Sequence, residues 1–384
     1  MNEPRRYAVA ASTVFDGGEC LRDAAVVIDG AKIAAVLSRS ALPAFLPAQI
    51  MPEGAWLAPG FIDCQVNGGG DVLFNGAPSV DGIAAIARAH RRFGTTSILP
   101  TLITDDEEKM RAALDAAASA AAANPSVAGI HLEGPFISPE KPGVHDPAHI
   151  RAPTQRDLEM LTAPRAGVTL VTLAPERVPA GFVAKLAGAG VRVSLGHSMA
   201  NYSETKAALA EGLTGFTHLF NAMRQLLSRD PGPVAAALET PGAWFGMIVD
   251  GKHVDPAMLR LALRGAANPM LVTDAMPPVG GGRPTFTRYG QEIGVRDGRC
   301  ARADGTLAGS ALDMATAVRN CVELLGVPLT AALRFASAEP ARFLGLDDSL
   351  GRLAQGFRAD MVAFDPAALQ IYATWVAGEA GSPH

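Results

Sequence analysis

The chain has 384 residues, of which 48% are hydrophobic and 18% are charged, and its formal net charge is −5. This length is enough to bury a large core without disulfide or metal cross-links. The acidic balance, without blocks of like charge, excludes nucleic acid and anionic membranes as expected partners. The N-terminal segment lacks the apolar run of a signal peptide, and no stretch of 18 apolar residues occurs. We therefore expect a soluble, cytoplasmic protein with no membrane contact.

The two ends of the chain are predicted to be β-rich. Four short apolar runs support this prediction: 24–29, 32–37, 360–364 and 371–376. The first two runs are joined through Asp29-Gly30, a favourable hairpin signal. No helix of convincing length precedes residue 58. We expect one small β-sandwich domain that is built from both termini, residues 1–57 plus 350–384.

The middle of the chain alternates regularly between strand-like and helix-like segments. Eight apolar runs rich in β-branched residues occur near 58–66, 95–103, 127–135, 168–176, 191–198, 215–223, 244–252 and 270–276. Strands that alternate with helices indicate a parallel sheet, and eight strands are the number that closes a barrel. An open doubly wound sheet is the alternative, but no glycine-rich dinucleotide loop follows the first run. The prediction is an α/β fold with a (β/α)₈ TIM-like barrel over residues 58–349.

Two helices between the first strands have clear boundary signals. An amphipathic pattern predicts a helix over 79–93, in which His90 is expected to face solvent. Thr104 and Glu107 have the spacing of a capping box, which would open an alanine-rich helix that ends near Asn124.

Four polar side chains lie at the C-terminal ends of predicted strands. Glu133 ends the third strand, His197 the fifth, His218 the sixth and Asp274 the eighth. Each alone is more typical of a hydrogen-bonded structural group, but barrel enzymes assemble their sites at this face, so the four are expected to converge. Two imidazoles and one carboxylate suit zinc or another first-row ion and leave a coordination position for water.

Other polar residues divide by position. His131 has the same strand parity as Glu133 and is expected to be buried, either as a packing group or as a group that supports the ligands. Glu176, after the fourth strand, is expected to support hydrogen bonding at the strand end. His145 and His253 lie on loops at the active face, which makes both candidates for substrate contact.

Eight motifs occur in an order that is specific as a set. They are Pro-Gly-Phe-Ile-Asp at 59–63, His-Leu-Glu-Gly-Pro-Phe at 131–136, Thr-Leu-Ala-Pro-Glu at 172–176, Gly-His-Ser at 196–198, Thr-His-Leu-Phe-Asn-Ala-Met at 217–223, Asp-Gly-Lys-His at 250–253, Val-Thr-Asp-Ala at 272–275 and Gly-Thr-Leu-Ala-Gly-Ser at 305–310. Through them the sequence resembles the N-acetylglucosamine-6-phosphate deacetylase family of the amidohydrolase superfamily, over nearly the whole chain.

The resemblance implies a hydrolase that converts N-acetyl-D-glucosamine 6-phosphate to D-glucosamine 6-phosphate and acetate. It implies that Glu133, His197 and His218 are metal ligands and that Asp274 is the catalytic acid–base. It also implies a set of substrate contacts: Val144, His145, Asn221, Ala222, Arg229, His253, Leu307, Ala308 and Gly309. Arg229 would bind the 6-phosphate, reaching across the interface of a homodimer.

The residues at the ends of the first and fourth strands bear on the number of metal ions. Many amidohydrolases have His-x-His after the first strand, whereas this chain has Gln65-Val66-Asn67, and the fourth strand ends without a lysine that could become carbamylated. Neutral amides are poor ligands, so the resemblance points to one divalent ion per subunit, with zinc as first candidate and iron or manganese as alternatives. A weak second ion near Gln65 and Asn67 stays open.

The stretch 276–306 is long for a barrel loop and is expected to fold over the site. Three alternative functions stay open: deacetylation of N-acetylgalactosamine 6-phosphate, hydrolysis of another small amide such as a cyclic one, and a barrel scaffold without activity. The missing His-x-His and lysine count against the cyclic-amide hydrolases. The retained ligand set counts against the inactive scaffold.

Overall fold

The computed structural model describes residues 6–296, 298–302, 305 and 307–381. Residues 1–5 and 382–384 of the predicted terminal domain lie outside the described residues, as do residues 297, 303, 304 and 306 of the segment predicted to cover the site. Among the described helices, none combines the length and the apolar character that crossing a membrane requires.

Eight parallel strands form the central sheet, in which neighbours in sequence are neighbours in space. The first to eighth barrel strands are Phe61–Val66, Thr95–Ile103, Gly129–Glu133, Val168–Leu173, Arg192–Leu195, Gly215–Phe216, Trp244–Met247 and Asn268–Leu271. The last strand returns to the first: Val66 bridges Ala275, and the Asp274 amide donates to the Gln65 carbonyl at 3.0 Å. The predicted (β/α)₈ barrel is therefore confirmed.

Helices connect the strands and cover the barrel. They are Val80–Arg91, Glu107–Ala123, Gln155–Thr162, Phe182–Gly188, Tyr202–Ala210, Gly232–Glu239, Pro256–Ala262, Met314–Leu325, Leu329–Ala336 and Ala338–Leu344. The predicted capping box was wrong, because the second helix begins at Glu107 and is capped by Asp106, whose side chain accepts from the Lys109 amide at 2.8 Å. Thr104 lies instead at the end of the second strand, where its hydroxyl is 2.7 Å from His145 Nδ1.

His90 is buried rather than solvated. It is 0% exposed, and its Nε2 lies 2.9 Å from the Gly68 carbonyl oxygen, in the loop that follows the first barrel strand. That loop can approach the helix because Gly69 has no side chain: a Cβ there would lie 2.8 Å from the imidazole ring. The helical pattern alone could not reveal this contact, since the covering loop comes from another element.

Both termini contribute to one eight-stranded sheet, as predicted. Its strands are Tyr7–Phe15, Cys20–Asp29, Lys32–Ser38, Ala48–Ile50, Trp56–Pro59, Met361–Phe364, Ile371–Val376 and Glu379–Ala380. Trp56–Pro59 joins the two ends, because it pairs in parallel with Tyr7–Phe15 and antiparallel with Met361–Phe364. The sheet has a separate apolar core around Leu57 and Trp375.

An antiparallel sheet lies over the C-terminal end of the barrel. Its strands are Thr285–Arg288, Gln291–Arg296, Arg299–Ala301 and Leu307–Ser310, and a short hairpin, Gly68–Gly69 with Val72–Leu73, lies near it in the barrel mouth. The sheet is anchored where the Met276 amide donates to the Ser310 carbonyl at 2.9 Å. This position agrees with the expectation that the segment covers the site.

Candidate metal centre and active site

The barrel brings the four predicted strand-end residues together. Glu133 is the last residue of the third strand, and His197, His218 and Asp274 follow the fifth, sixth and eighth strands. Glu133, His197 and His218 are each no more than 5% exposed. The backbone at three of these positions is strained, with φ of 48° at His197, 32° at His218 and 52° at Asp274. Such left-handed conformations in non-glycine residues cluster at functional sites.

Glu133, His197 and His218 form a possible metal site. Glu133 Oε1 lies 3.1 Å from His197 Nε2 and 2.9 Å from His218 Nε2, and the two Nε2 atoms are 3.1 Å apart. Ligands about 2.1 Å from a tetrahedral zinc ion are separated by roughly 3.4 Å, so small side-chain shifts would admit the ion. Three electron-pair donors that face one another in a buried space are a good fit to a divalent cation.

The protonation of the cluster agrees with this interpretation. Burial would raise the pKa of Glu133, but hydrogen bonds from His197 and His218 outweigh it and hold that pKa well below its usual range. His197 Nδ1 lies 2.8 Å from the Lys141 carbonyl oxygen, so with an ion in place of the Glu133 hydrogen bond the ring proton would be on Nδ1 and Nε2 would be the ligand.

Two amide side chains hold the Asp274 carboxylate. Asn67 Nδ2 donates to Asp274 Oδ1 at 2.6 Å, and Gln65 Nε2 donates to the same oxygen and to Glu133 Oε1, both at 3.2 Å. Burial raises the pKa of Asp274, the charge of Glu133 adds to the rise, and the Asn67 hydrogen bond opposes it. The sequence indicates Gln65 and Asn67 only as weak ligands, whereas in the structure they orient two carboxylates.

Neighbouring residues support the strand ends. His131 is 1% exposed, with Nε2 2.7 Å from the Thr172 hydroxyl and Nδ1 3.0 Å from the Cys64 carbonyl, as expected for a buried packing group. Burial lowers its pKa to about 4, which keeps the ring neutral. Glu176 accepts from the Ser198 hydroxyl at 2.7 Å and the Met199 amide at 2.6 Å, which agrees with its predicted role.

A cavity of about 400 Å³ opens beside the cluster. The described residues that line it include all three possible ligands, Asp274, and seven predicted substrate contacts: Val144, His145, Asn221, Ala222, His253, Leu307 and Gly309. The other two predicted contacts lie elsewhere. The Ala308 side chain packs into a small apolar core, and Arg229 is exposed and does not line the cavity of its own chain.

A larger cavity, about 960 Å³, lies at the terminal β domain, but of the described residues that line it only Glu379 is charged. It offers no catalytic constellation.

The sequence did not reveal the roles of two residues, Thr104 beside the active cavity and Arg288 in its lining. The Thr104 backbone amide donates to His145 Nδ1 at 3.3 Å and its hydroxyl contacts the same atom, so Thr104 orients that ring. Arg288 is 3% exposed and lines the cavity. Nothing in the local sequence Thr-Phe-Thr-Arg-Tyr-Gly distinguishes Arg288 from a surface arginine, since only the position of the covering sheet buries it.

Comparison with known proteins agrees with the fold and the site. The model of the amidohydrolase family matches residues 56–381. An N-acetylgalactosamine-6-phosphate deacetylase from Shewanella sp. is 43% identical over 84% of this chain and 82% of its own, and an N-acetylglucosamine-6-phosphate deacetylase from Haemophilus influenzae is 35% identical over 97% and 99%. The crystal structure of N-acetylglucosamine-6-phosphate deacetylase from Pasteurella multocida superposes with a TM-score of 0.94 at 35% identity, covering 98% of this chain and all of that one. By these matches the chain belongs to the amidohydrolase family.

Proposed function

We propose that this chain hydrolyses the acetamide of N-acetyl-D-glucosamine 6-phosphate and releases D-glucosamine 6-phosphate and acetate. The observation that carries the proposal is the buried cluster of Glu133, His197 and His218, with Asp274 beside it, in a cavity of about 400 Å³. Similar proteins with this fold are named as deacetylases of N-acetylhexosamine 6-phosphates.

One divalent ion per subunit belongs to the proposal, with Glu133, His197 and His218 as its ligands. When bound there, the ion lowers the pKa of a coordinated water toward ~7 and polarises the acyl oxygen. Zinc is the first candidate, and iron and manganese tolerate the same ligand set. Gln65 and Asn67 turn their amide nitrogens, which do not bind metal ions, toward the carboxylates of Glu133 and Asp274, which favours a single ion.

Asp274 is assigned the proton transfers. Its Oδ1 is held by the two amides, while its second oxygen accepts no hydrogen bond from the described residues and is available for a proton. The carboxylate accepts a proton from the attacking water as the oxygen bonds to the acetyl carbon. It then returns that proton to the amide nitrogen, the C–N bond breaks, and acetate and the free amine leave.

His145 is assigned the stabilisation of the developing oxyanion. Burial lowers its pKa well below the usual range, and the nearby His197 adds to this effect, so the ring is neutral. Because the Thr104 amide donates to Nδ1, the single ring proton is on Nε2. A neutral imidazole with a protonated Nε2 in the cavity wall is a hydrogen-bond donor for the acyl oxygen.

The remaining predicted contacts are assigned to the sugar phosphate. The Asn221–Ala222 backbone, His253, Val144 and the 307–309 segment line or adjoin the cavity. Arg229 is proposed to reach the 6-phosphate of a neighbouring subunit in a homodimer, which its exposed position permits. A guanidinium suits this task, because its charge-assisted hydrogen bonds match phosphate geometry.

The galacto epimer is the second candidate substrate. The relative from Shewanella is named for N-acetylgalactosamine 6-phosphate and is 43% identical to this chain. The two sugars differ only in the configuration of one hydroxyl.

The decisive experiment measures acetate release by metal-reconstituted protein from both phosphosugars and from unphosphorylated N-acetylglucosamine. We expect turnover of the gluco phosphosugar with a higher kcat/KM than either alternative. A higher kcat/KM for the galacto epimer would make N-acetylgalactosamine 6-phosphate the preferred substrate instead. A folded, metal-loaded protein that releases no acetate from either phosphosugar would refute the proposed activity.

A further inference from the structure

Arg288 presents an unpaired buried charge to the active cavity. It ends the strand Thr285–Arg288 of the covering sheet, is 3% exposed, and lines the same cavity as Glu133 and Asp274. None of its nitrogens, Nε, Nη1 or Nη2, has a hydrogen-bond partner of normal geometry among the described residues, although contact with the Tyr289 side chain opposes the fall in its pKa. Its guanidinium carbon lies 5.4 Å from the centroid of the Tyr289 ring.

Arg151 and Arg358, two other arginines with limited exposure, have carboxylate partners, unlike Arg288. Arg151, a third exposed, makes two hydrogen bonds of 2.6 Å to Asp157, and Arg358 is paired with Asp360 and with Ser97. Buried charges are normally paired, because removing a charge from water without a partner is strongly unfavourable. Burial accordingly lowers the pKa of Arg288. A partner that is not part of the chain would account for this arrangement.

A contact between the covering sheet and the barrel holds the strand end that carries Arg288. The hydroxyl of the next residue, Tyr289, donates to the Thr104 carbonyl at the end of the second barrel strand. This contact ties the covering sheet to the barrel mouth beside His145, whose pKa the charge of Arg288 helps to lower. The strand end that carries Arg288 is therefore held at the cavity wall before a ligand arrives.

We propose that Arg288 is an oxyanion-binding residue of the active cavity, contributed by the same chain as the possible metal ligands. Five N–H donors in a planar fork match a phosphate or a carboxylate. Resting on the proposed function, two oxyanions enter this cavity: the phosphoryl group of the substrate and the carboxylate of the released acetate. Either would pair the charge that the fold leaves unpaired, whereas a neutral sugar would not.

The test measures anion binding and turnover separately. Binding of inorganic phosphate and of acetate to metal-loaded protein is measured by calorimetry for the wild type, Arg288→Met and Arg288→Lys. Arg283→Met is the matched control, because it removes the same charge from the same segment at an exposed position. Acetate release from the phosphorylated and unphosphorylated sugars is measured on the same four proteins.

We expect Arg288→Met to weaken the binding of one anion at least tenfold, Arg288→Lys to weaken it less, and Arg283→Met to leave it unchanged. Loss of phosphate binding, with a falling ratio of kcat/KM between phosphorylated and unphosphorylated sugar, identifies the phosphoryl group. Loss of acetate binding with that ratio preserved identifies the carboxylate. Binding of both anions within twofold of wild type in a folded Arg288→Met, or in the likewise uncharged Arg288→Gln if the methionine variant does not fold, overturns the proposal. Since binding needs no turnover, a wild type that binds anions through Arg288 yet releases no acetate refutes the proposed function alone.

Discussion

Asn67 offers a quantitative test of how the acid–base is controlled. Its amide donates to Asp274 Oδ1 at 2.6 Å, and the only other amide on that oxygen among the described residues is Gln65, at 3.2 Å. Asn67→Leu keeps the side-chain size and removes the donor. A hydrogen bond to a charged group contributes about 1.5–3 kcal/mol. Since this bond favours the ionised carboxylate, its loss should raise the pKa of Asp274 and move the acidic limb of kcat/KM to higher pH.

The size of the effect on rate follows from the same energy. At a pH below the pKa of Asp274 in both wild type and Asn67→Leu, kcat/KM for acetate release should be about 10- to 150-fold lower in the variant, because ~1.4 kcal/mol corresponds to a factor of ten. Asn75→Leu is the matched control: Asn75 is a buried amide that donates to the Ile103 carbonyl at 3.0 Å but does not line the cavity. The Asn75→Leu variant should be less stable than wild type but should keep the acidic limb of its kcat/KM profile at the same pH. An Asn67→Leu profile that coincides with wild type would refute either the acid–base role of Asp274 or the control of its pKa by Asn67.

Three further predictions follow from single contacts. Asp274→Asn should retain one ion per subunit by elemental analysis while acetate release falls about 100- to 10,000-fold, and near-normal turnover would contradict its role. Asp157→Asn should cost about 1–3 kcal/mol of unfolding free energy at pH 7, because burial raises the pKa of Asp157 but the hydrogen bonds from Arg151 and Thr154 and the Arg151 charge together lower it. That contribution is present above the unfolded pKa near 3.8 and is lost as the pH falls through the lowered folded value, so the melting temperatures of variant and wild type should converge in acid. Gly69→Ala should destabilise by about 1–3 kcal/mol in chemical denaturation, because the new Cβ would lie 2.8 Å from the His90 ring; an unchanged midpoint would mean that the loop moves freely.

The barrel and the core of the candidate site could be predicted from local patterns. Eight β-branched runs that alternate with helical segments determine a parallel closed sheet, and every strand of such a sheet ends at the same mouth. Glu133, His197, His218 and Asp274 therefore converge, although up to 141 positions separate them, from 133 to 274. The prediction succeeded because it needed only the end of each strand and no knowledge of side-chain packing.

The remaining roles depended on contacts between distant elements. Thr104 looked like a helix cap, but the following turn places Asp106 at the cap and leaves Thr104 beside His145. His90 reads as solvated until the loop at Gly68 is folded onto its helix.

Gln65, Asn67 and Arg288 show the same limit within the site itself. The two amides became positioning groups only because Asp274 closes the barrel against the first strand, which brings its carboxylate within reach of both. Arg288 lines the cavity only because the antiparallel sheet folds back over the barrel mouth. Sequence alone determined where strands end and which chemical groups stand there. Tertiary structure decided which of those groups lose water and which partners they meet, since burial and hydrogen bonding depend on the whole set of neighbours.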